Sequence, residues 1–332
     1  MPQSCLFFHV RQLRSILLPG GAGFIGSALV RHLLRAEGLE RLIVLDKLTY
    51  AGNRGNLIGP DQDPRFGFVE GDIADRELTA SLLHEHRITG VFNLAAESHV
   101  ERSLDSPSAF LHSNVIGTSR LVETCRAAAV PLLQCSTDEV YGSVSPPERF
   151  VEIKPLNPTT PYAASKAAAD FFCLAATRCH EQDIVITRSS NNYGPRQHAE
   201  KLVPTLVHAA FHDQPVPIHG DGMQIRDWMH VDDHCRGMIT AFLRGHAGAV
   251  YLLGGQCERT NLGIARSVLE ILAKPTSLIT HVADRPGNDR RYAVDFSKAV
   301  AGLSWRPQHR FRASFPLVVR EIATNLHRKG AA

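Results

Sequence analysis

The 332-residue sequence has no apolar run near the ~20 residues that a membrane-spanning helix needs, so no membrane span is expected. Its seven cysteines (Cys5, Cys125, Cys135, Cys173, Cys179, Cys235 and Cys257) form no Cys-x-x-Cys pair. An odd number in a chain this long is not the framework of a disulfide-stapled fold, and a reducing cytoplasm is the simplest reading. Charge of one sign is also lacking: 36 basic against 33 acidic side chains leave +3. That balance supplies no field for nucleic acid, so an anionic partner must be met by a local site. The histidines and cysteines show no metal-ligand spacing, and no metal is expected. There is no internal repeat and no low-complexity tract. With 44% hydrophobic and 21% charged residues, the chain is too apolar to be disordered.

The length fits roughly two domains at ~150 residues each. The patch Leu6-Phe7-Phe8 is too short for a signal sequence, and residues 1–14 read as a loosely packed extension. From Ser15 onward, short apolar runs (16–18, 42–45, 66–69, 91–94, 132–136, 184–187) alternate with amphipathic stretches (24–36, 76–86, 108–128, 162–180). This pattern predicts βαβ units and a doubly wound, Rossmann-type parallel sheet. After about Asn191 the rhythm changes to a helix over 202–212, strands over 216–219 and 224–229, and a sheet-like run at 249–253. Two helices and a Pro- and Arg-rich loop follow Asn261. The expected division is a dinucleotide-binding domain over 15–194, with 232–255 returning to it. A smaller C-terminal α/β lobe takes 195–231 and 256–328.

Gly20, Gly23 and Gly26 lie between the first strand and the first helix. Glycine there permits a tight turn and close backbone approach to a pyrophosphate at a helix N-terminus. Asp46 ends the second strand, where a carboxylate accepts from both ribose hydroxyls and repels a 2′-phosphate. NAD is therefore favoured over NADP, although Lys47 follows at once. Asp72 after the third strand is read either as an adenine contact or as a helix N-cap. Tyr162 and Lys166, at i and i+4, share a helix face, and an ammonium nearby stabilises a phenolate. Cys135 reads as core, not as a nucleophile.

These residues, with Ala95-Ala96-Glu97-Ser98-His99-Val100, Ser136-Thr137-Asp138-Glu139-Val140-Tyr141-Gly142, Ser190-Asn191-Asn192-Tyr193-Gly194-Pro195, Gln224-Ile225-Arg226-Asp227-Trp228 and Asp284-Arg285-Pro286-Gly287-Asn288-Asp289-Arg290-Arg291-Tyr292, carry a resemblance. Over nearly its whole length the chain resembles the extended short-chain dehydrogenase/reductases, most closely the dTDP-glucose 4,6-dehydratases. The resemblance implies a lyase of deoxysugar biosynthesis with NAD as a catalytic group and no net redox change. Phe24, Ile25, Thr49, Ile73, Leu94, Ala95, Ala96, Ser113 and Asn191 would join the cofactor set. Tyr162 would take the C4 hydroxyl proton with Thr137 assisting, Glu139 the C5 proton, and Asp138 would protonate the departing C6 hydroxyl. The acidic pair discriminates this reaction from 4-epimerisation, which needs no elimination.

For the nucleotide sugar, the resemblance implies Asn192, Lys201, Arg226 and Arg291 near the diphosphate and sugar, and Glu200 in the sugar pocket. Pro217 to His219 would lie near the base, with Ser98, His99, Leu202, Asn261 and Tyr292 completing the set. A homodimer through the helices of 108–128 and 162–180 is expected by analogy. The chain departs from the family pattern at Pro19, Ser113 and Glu101, and at His219 and Asn288, which leave base and sugar preference open. Alternatives are a UDP-sugar 4,6-dehydratase, a 4-epimerase, a decarboxylase, or a non-catalytic NAD-binding regulator.

Overall fold

Seven short, mostly apolar segments form one parallel sheet in the computed structural model, which describes residues 11–330, with only the edge strand at 66–70 half-exposed throughout. They are β1 (Ser15–Pro19), β2 (Arg41–Asp46), β3 (Phe66–Glu70), β4 (Gly90–Asn93), β5 (Leu132–Thr137), β6 (Ile184–Ser189) and β10 (Val250–Leu253). The order is β10-β6-β5-β4-β1-β2-β3, so the winding reverses between β1 and β4. Loops leaving β1 and β4 diverge there, which opens a crevice at the strands' carboxyl ends.

Helices cover both faces. One is packed by α1 (Phe24–Leu34), α8 (Val231–Arg244) and α10 (Ser297–Leu303), through Leu29, Leu33, Met238, Phe242 and Leu303. The other is packed by α2 (Arg76–Glu85), α5 (Thr118–Ala127) and α6 (Pro161–His180), through Leu82, Leu121, Val122 and Cys173. The helix expected over 108–128 runs unbroken from Pro107 to Ala127 as α4 (Pro107–Phe110), a π-helical turn (Leu111–Gly117) and α5, with the short α3 (Val100–Asp105) before it. Pro107 has no N–H and crowds the preceding turn, so the chain breaks at Ser106.

The lobe has its own core of Val203, Leu206, Trp228, Ile264, Val268, Phe315 and Val319. They come from α7 (Leu202–Phe211), β9 (Ile225–His230), α9 (Asn261–Ile271) and α11 (Phe311–Gly330). Two small sheets belong to it: β7 (Asn191–Tyr193) with β9 and β11 (Glu258–Thr260), and β8 (Val216–His219) with β12 (Ile279–Val282). Three boundaries differ from the sequence reading. Strand β7 lies before residue 194 yet pairs with β9. Helix α10, assigned to the lobe, packs its Ala299 and Leu303 into the core under α8, making three C-terminal helices where two were expected. Arg11 and Leu13, assigned to a loose extension, are held: Leu13 is buried, and Arg11 bonds Asp183 and the carbonyls of Phe242 and Gly245. Residues 1–10 of that extension lie outside the described residues. Among the described residues no helix is long and apolar enough to cross a membrane.

Candidate active site

The crevice begins at the glycine turn. Gly20 sits at φ +79°, and a Cβ there would come 2.5 Å from Ala95 N and from the carbonyl carbon of Leu94, in the β4 loop. A Cβ on Gly26 would lie 2.0 Å from the Gly20 oxygen. The glycines therefore let α1 and the loops after β1 and β4 converge more closely than side chains allow. Gly23 caps α1 without a side-chain hydrogen bond, which leaves first-turn N–H groups for an anion. At the end of β2, Asp46 accepts from the backbone N–H of Ala22 and of Leu48, both at 2.9 Å, and burial raises its carboxyl. Lys47 turns to Asp72, 2.7 Å away, and is spent there. Asp72 also meets the His112 ring at 3.0 Å, while α2 is capped by Asp75, so the N-cap reading of Asp72 falls.

Every expected cofactor residue lines this crevice: Gly20, Gly23, Phe24, Ile25, Gly26, Asp46, Lys47, Thr49, Asp72, Ile73, Leu94, Ala95, Ala96, Ser113, Tyr162, Lys166 and Asn191. The cradle, the ribose-facing carboxylate and an engaged Lys47 fit NAD.

The same crevice continues to the acidic pair. Strand β5 ends at Thr137, whose hydroxyl accepts from Glu139 N at 3.3 Å and starts the short turn Asp138–Tyr141. Asp138 is 2% exposed, and its Oδ2 has no partner. Burial pushes its carboxyl well above the usual range, and the charges of Glu139 and Asp227 push the same way. Burial also raises Glu139, against the pull of Arg285, Arg226 and Lys201. Tyr162 differs from expectation: burial lifts its phenol well above the usual value, with the Thr137 hydroxyl pulling down. Lys166 instead donates to the Cys135 carbonyl at 2.7 Å. Behind the site, Asp170 accepts from Ser136 Oγ and Arg188 Nε, which anchors the end of β5 to α6.

The nucleotide-sugar set divides. Ser98, Asn192 and Lys201 line the crevice; Lys201 donates to the Ser98 carbonyl, and the buried His234 holds the Asn192 amide oxygen. Glu200 is a correction: it does not line the crevice, since Arg102 binds it through Nε and Nη2 and the His99 ring stands 3.7 Å off. Arg291 is another: its buried guanidinium is neutralised internally by Glu258 at 2.8 Å and the Glu148 carbonyl at 2.7 Å. Leu202, Pro217, His219, Arg226, Asn261 and Tyr292 lie beyond the crevice lining, with Arg226 4.1 Å over the Tyr292 ring. Sequence reading missed Tyr50, whose hydroxyl faces Ser98 N, and Arg285, although Arg285 stands inside a motif that carried the resemblance.

His230, Asp232 and His309, unspaced in sequence, bring candidate ligand atoms within 4.8 Å of one another. The two imidazoles are stacked, with centroids 4.2 Å apart, and His309 Nδ1 faces Asp233, so their ligand directions do not converge as a bound ion requires. The six described cysteines are free, and burial pushes the Cys135 thiol up to about 11, which keeps it a thiol.

A dinucleotide crevice that ends at a Tyr-x-x-x-Lys helix and a Thr-capped turn defines an extended short-chain dehydrogenase/reductase. The family model described as GDP-mannose 4,6 dehydratase matches residues 17–316. A dTDP-glucose 4,6-dehydratase of Actinoplanes is 46% identical, over 88% of this chain and 92% of its own. The crystal structure of a dTDP-glucose 4,6-dehydratase from Streptomyces venezuelae with NAD bound superposes with a TM-score of 0.90 at 44% identity, covering 92% of this chain and 96% of its own. One from Bacillus anthracis in complex with NAD gives 0.87 at 38%, with the same coverage. The chain belongs to the dTDP-glucose 4,6-dehydratase family.

Proposed function

We propose that the protein is an NAD-dependent hydro-lyase that converts dTDP-glucose to dTDP-4-keto-6-deoxyglucose. The observation that carries this reading is the pair of buried Asp138 and half-buried Glu139 beside Tyr162, two carboxyls in unlike surroundings at the end of one strand. Asp46 would hold the adenosine ribose, the first turn of α1 the pyrophosphate, and Tyr162 with Lys166 the nicotinamide end. When bound there, NAD would supply a reversible hydride acceptor for C4 and hydride donor for C6. With the cationic nicotinamide of NAD and Lys166 one helical turn on lowering its phenol from the raised value, Tyr162 would accept the C4 hydroxyl proton, and Thr137 hydrogen-bonds the same hydroxyl. A ketone at C4 acidifies C5, so Glu139 can remove that proton and return it to C5 when C6 is reduced. Asp138, held protonated by burial, delivers a proton to the C6 hydroxyl, which leaves as water. The lobe, built on β7, β9, α7, α9 and α11, supplies the nucleotide end of the site.

We propose further that two copies associate through the α5 and α6 face, in the cytoplasm. Leu111, Ile116, Phe171 and Phe172 are exposed on it, an apolar patch that a second copy would cover.

Incubation with dTDP-glucose should yield a product lighter by one water in mass spectrometry, with UDP-glucose run beside it. An unchanged mass for both would overturn the reading.

A further inference from the structure

Helix α6 carries a third polar residue in step with Tyr162 and Lys166. Asp170 continues their spacing of four along the same face and is buried. It has no proton to move in the reaction. Its Oδ2 accepts from Ser136 Oγ at 3.0 Å and from Arg188 Nε at 2.8 Å. Ser136 and Arg188 are themselves opposite one another in the parallel register of β5 and β6. Arg188, also buried, turns to the segment after β5, where its Nη1 donates to the Tyr141 hydroxyl at 2.6 Å. That hydroxyl donates on to the Glu152 carbonyl at 3.4 Å, and the Glu152 carboxylate accepts from Leu252 N–H of β10 at 3.0 Å.

Ser136 and Tyr141 bracket Thr137, Asp138 and Glu139. Both ends of that segment are therefore tied to one carboxylate, Ser136 directly and Tyr141 through Arg188. The carboxylate belongs to the helix that presents Tyr162 and Lys166, and Lys166 holds the carbonyl of Cys135 one residue earlier on β5. Apolar packing of Val140, Tyr141, Phe150 and Ala167 also retains the turn, but packing has no preferred direction. Charge-assisted hydrogen bonds have one, and so select a single orientation of the turn. For stability alone the ion pair is a poor choice. Desolvating two ions offsets their attraction, and apolar side chains of like volume serve as well.

We propose that Asp170 and Arg188 are positioning residues that hold the acidic turn against Tyr162. The two carboxyls then meet C5 and C6 of the same sugar whose C4 hydroxyl the phenol addresses. This rests on the 4,6-dehydration reading above and adds what keeps its oxidation and elimination halves in register.

The test is the holoenzyme with Asp170→Leu and Arg188→Met together, which removes both charges and leaves no buried ion unpaired. Single turnovers with dTDP-glucose, followed by reduced-cofactor absorbance and by product mass, separate the two halves. C4 oxidation should stay within about threefold of wild type, while water release falls about 10²-fold, as a misplacement of about 1 Å can cause. Reduced cofactor should build up as a result. A merely structural defect would lower both steps together. Amide hydrogen exchange reads the same pair without substrate: residues 136–142 should exchange about tenfold faster in the double variant, with 161–180 unchanged. Should that variant not fold, Tyr141→Phe decides, since it keeps the ring and loses only the oxygen that Arg188 holds. Its water release should fall about tenfold with oxidation kept. Equal losses of oxidation and elimination, elimination at the wild-type rate, or unchanged exchange over 136–142 would each overturn the assignment. A wild type that dehydrates neither dTDP-glucose nor UDP-glucose would count against the proposed reaction, and the exchange measurement would still judge the pair.

Discussion

Asp138 and Glu139 are sequence neighbours whose surroundings set them apart. Asp138 is sealed beside Asp227 and Glu139, which favours its neutral form, while Glu139 also feels three cations. Both carboxyls are raised, so both limbs of the activity profile should move upward. The base must lose its proton, which places the acid limb above the ~4.3 of a free glutamate. The acid must keep its proton, so activity falls again as pH rises through the raised value of Asp138. The two limbs belong to the coupled pair. Asp138→Asn should cut turnover by about 10²–10⁴ and remove the basic limb, while C4 oxidation, followed by cofactor absorbance in a single turnover, persists. Full-rate dehydration by this variant would contradict the role given to Asp138.

At the scale of elements, the crevice exists because α1 begins hard against the turn after β1. Gly26 is the tightest point, with no room for a methyl between it and the Gly20 carbonyl. Gly26→Ala must push α1 away from the strand ends. The expected result is a protein that no longer retains its dinucleotide through purification, judged by absorbance of the released cofactor after denaturation. Retention equal to wild type would mean that the turn yields more easily than its backbone contacts suggest. The break at Pro107 and the π turn after it belong to the same scale. The turn buries Asn114, which bonds Glu97 N–H and carbonyl and Ser165 Oγ, and so ties the β4 loop to the catalytic helix α6.

For the whole molecule, the exposed rings of Phe171 and Phe172 on α6 predict association. Phe171→Glu should yield a monomer in light scattering without loss of secondary structure, since its side chain supports no contact in the core of one copy. A wild type that is already monomeric at micromolar concentration would dispose of the dimer. Ion pairs between α3 and the lobe cross between the two halves of one copy, Arg102–Glu200 among them, beside the hydrogen bonds of Lys201 to Ser98 and Arg291 to Glu148.

The amino-acid order by itself determined what repeats locally. Alternating apolar and amphipathic runs dictated the parallel sheet, glycine spacing the phosphate turn, and the i, i+4 relation the Tyr162–Lys166 face, because each is encoded within a few residues of backbone geometry. Boundaries shifted where a distant packing partner took a segment, as with α10 under α8. Tertiary structure alone decided how charges are spent. Arg291 meets Glu258 across 33 residues and Glu200 meets Arg102 across 98, so neither is free for a ligand, while Arg285 is. It likewise raised the Tyr162 phenol where spacing to Lys166 suggested the reverse. Desolvation and hydrogen-bond partnership depend on what packs against a group from distant parts of the chain, and no local pattern carries that information.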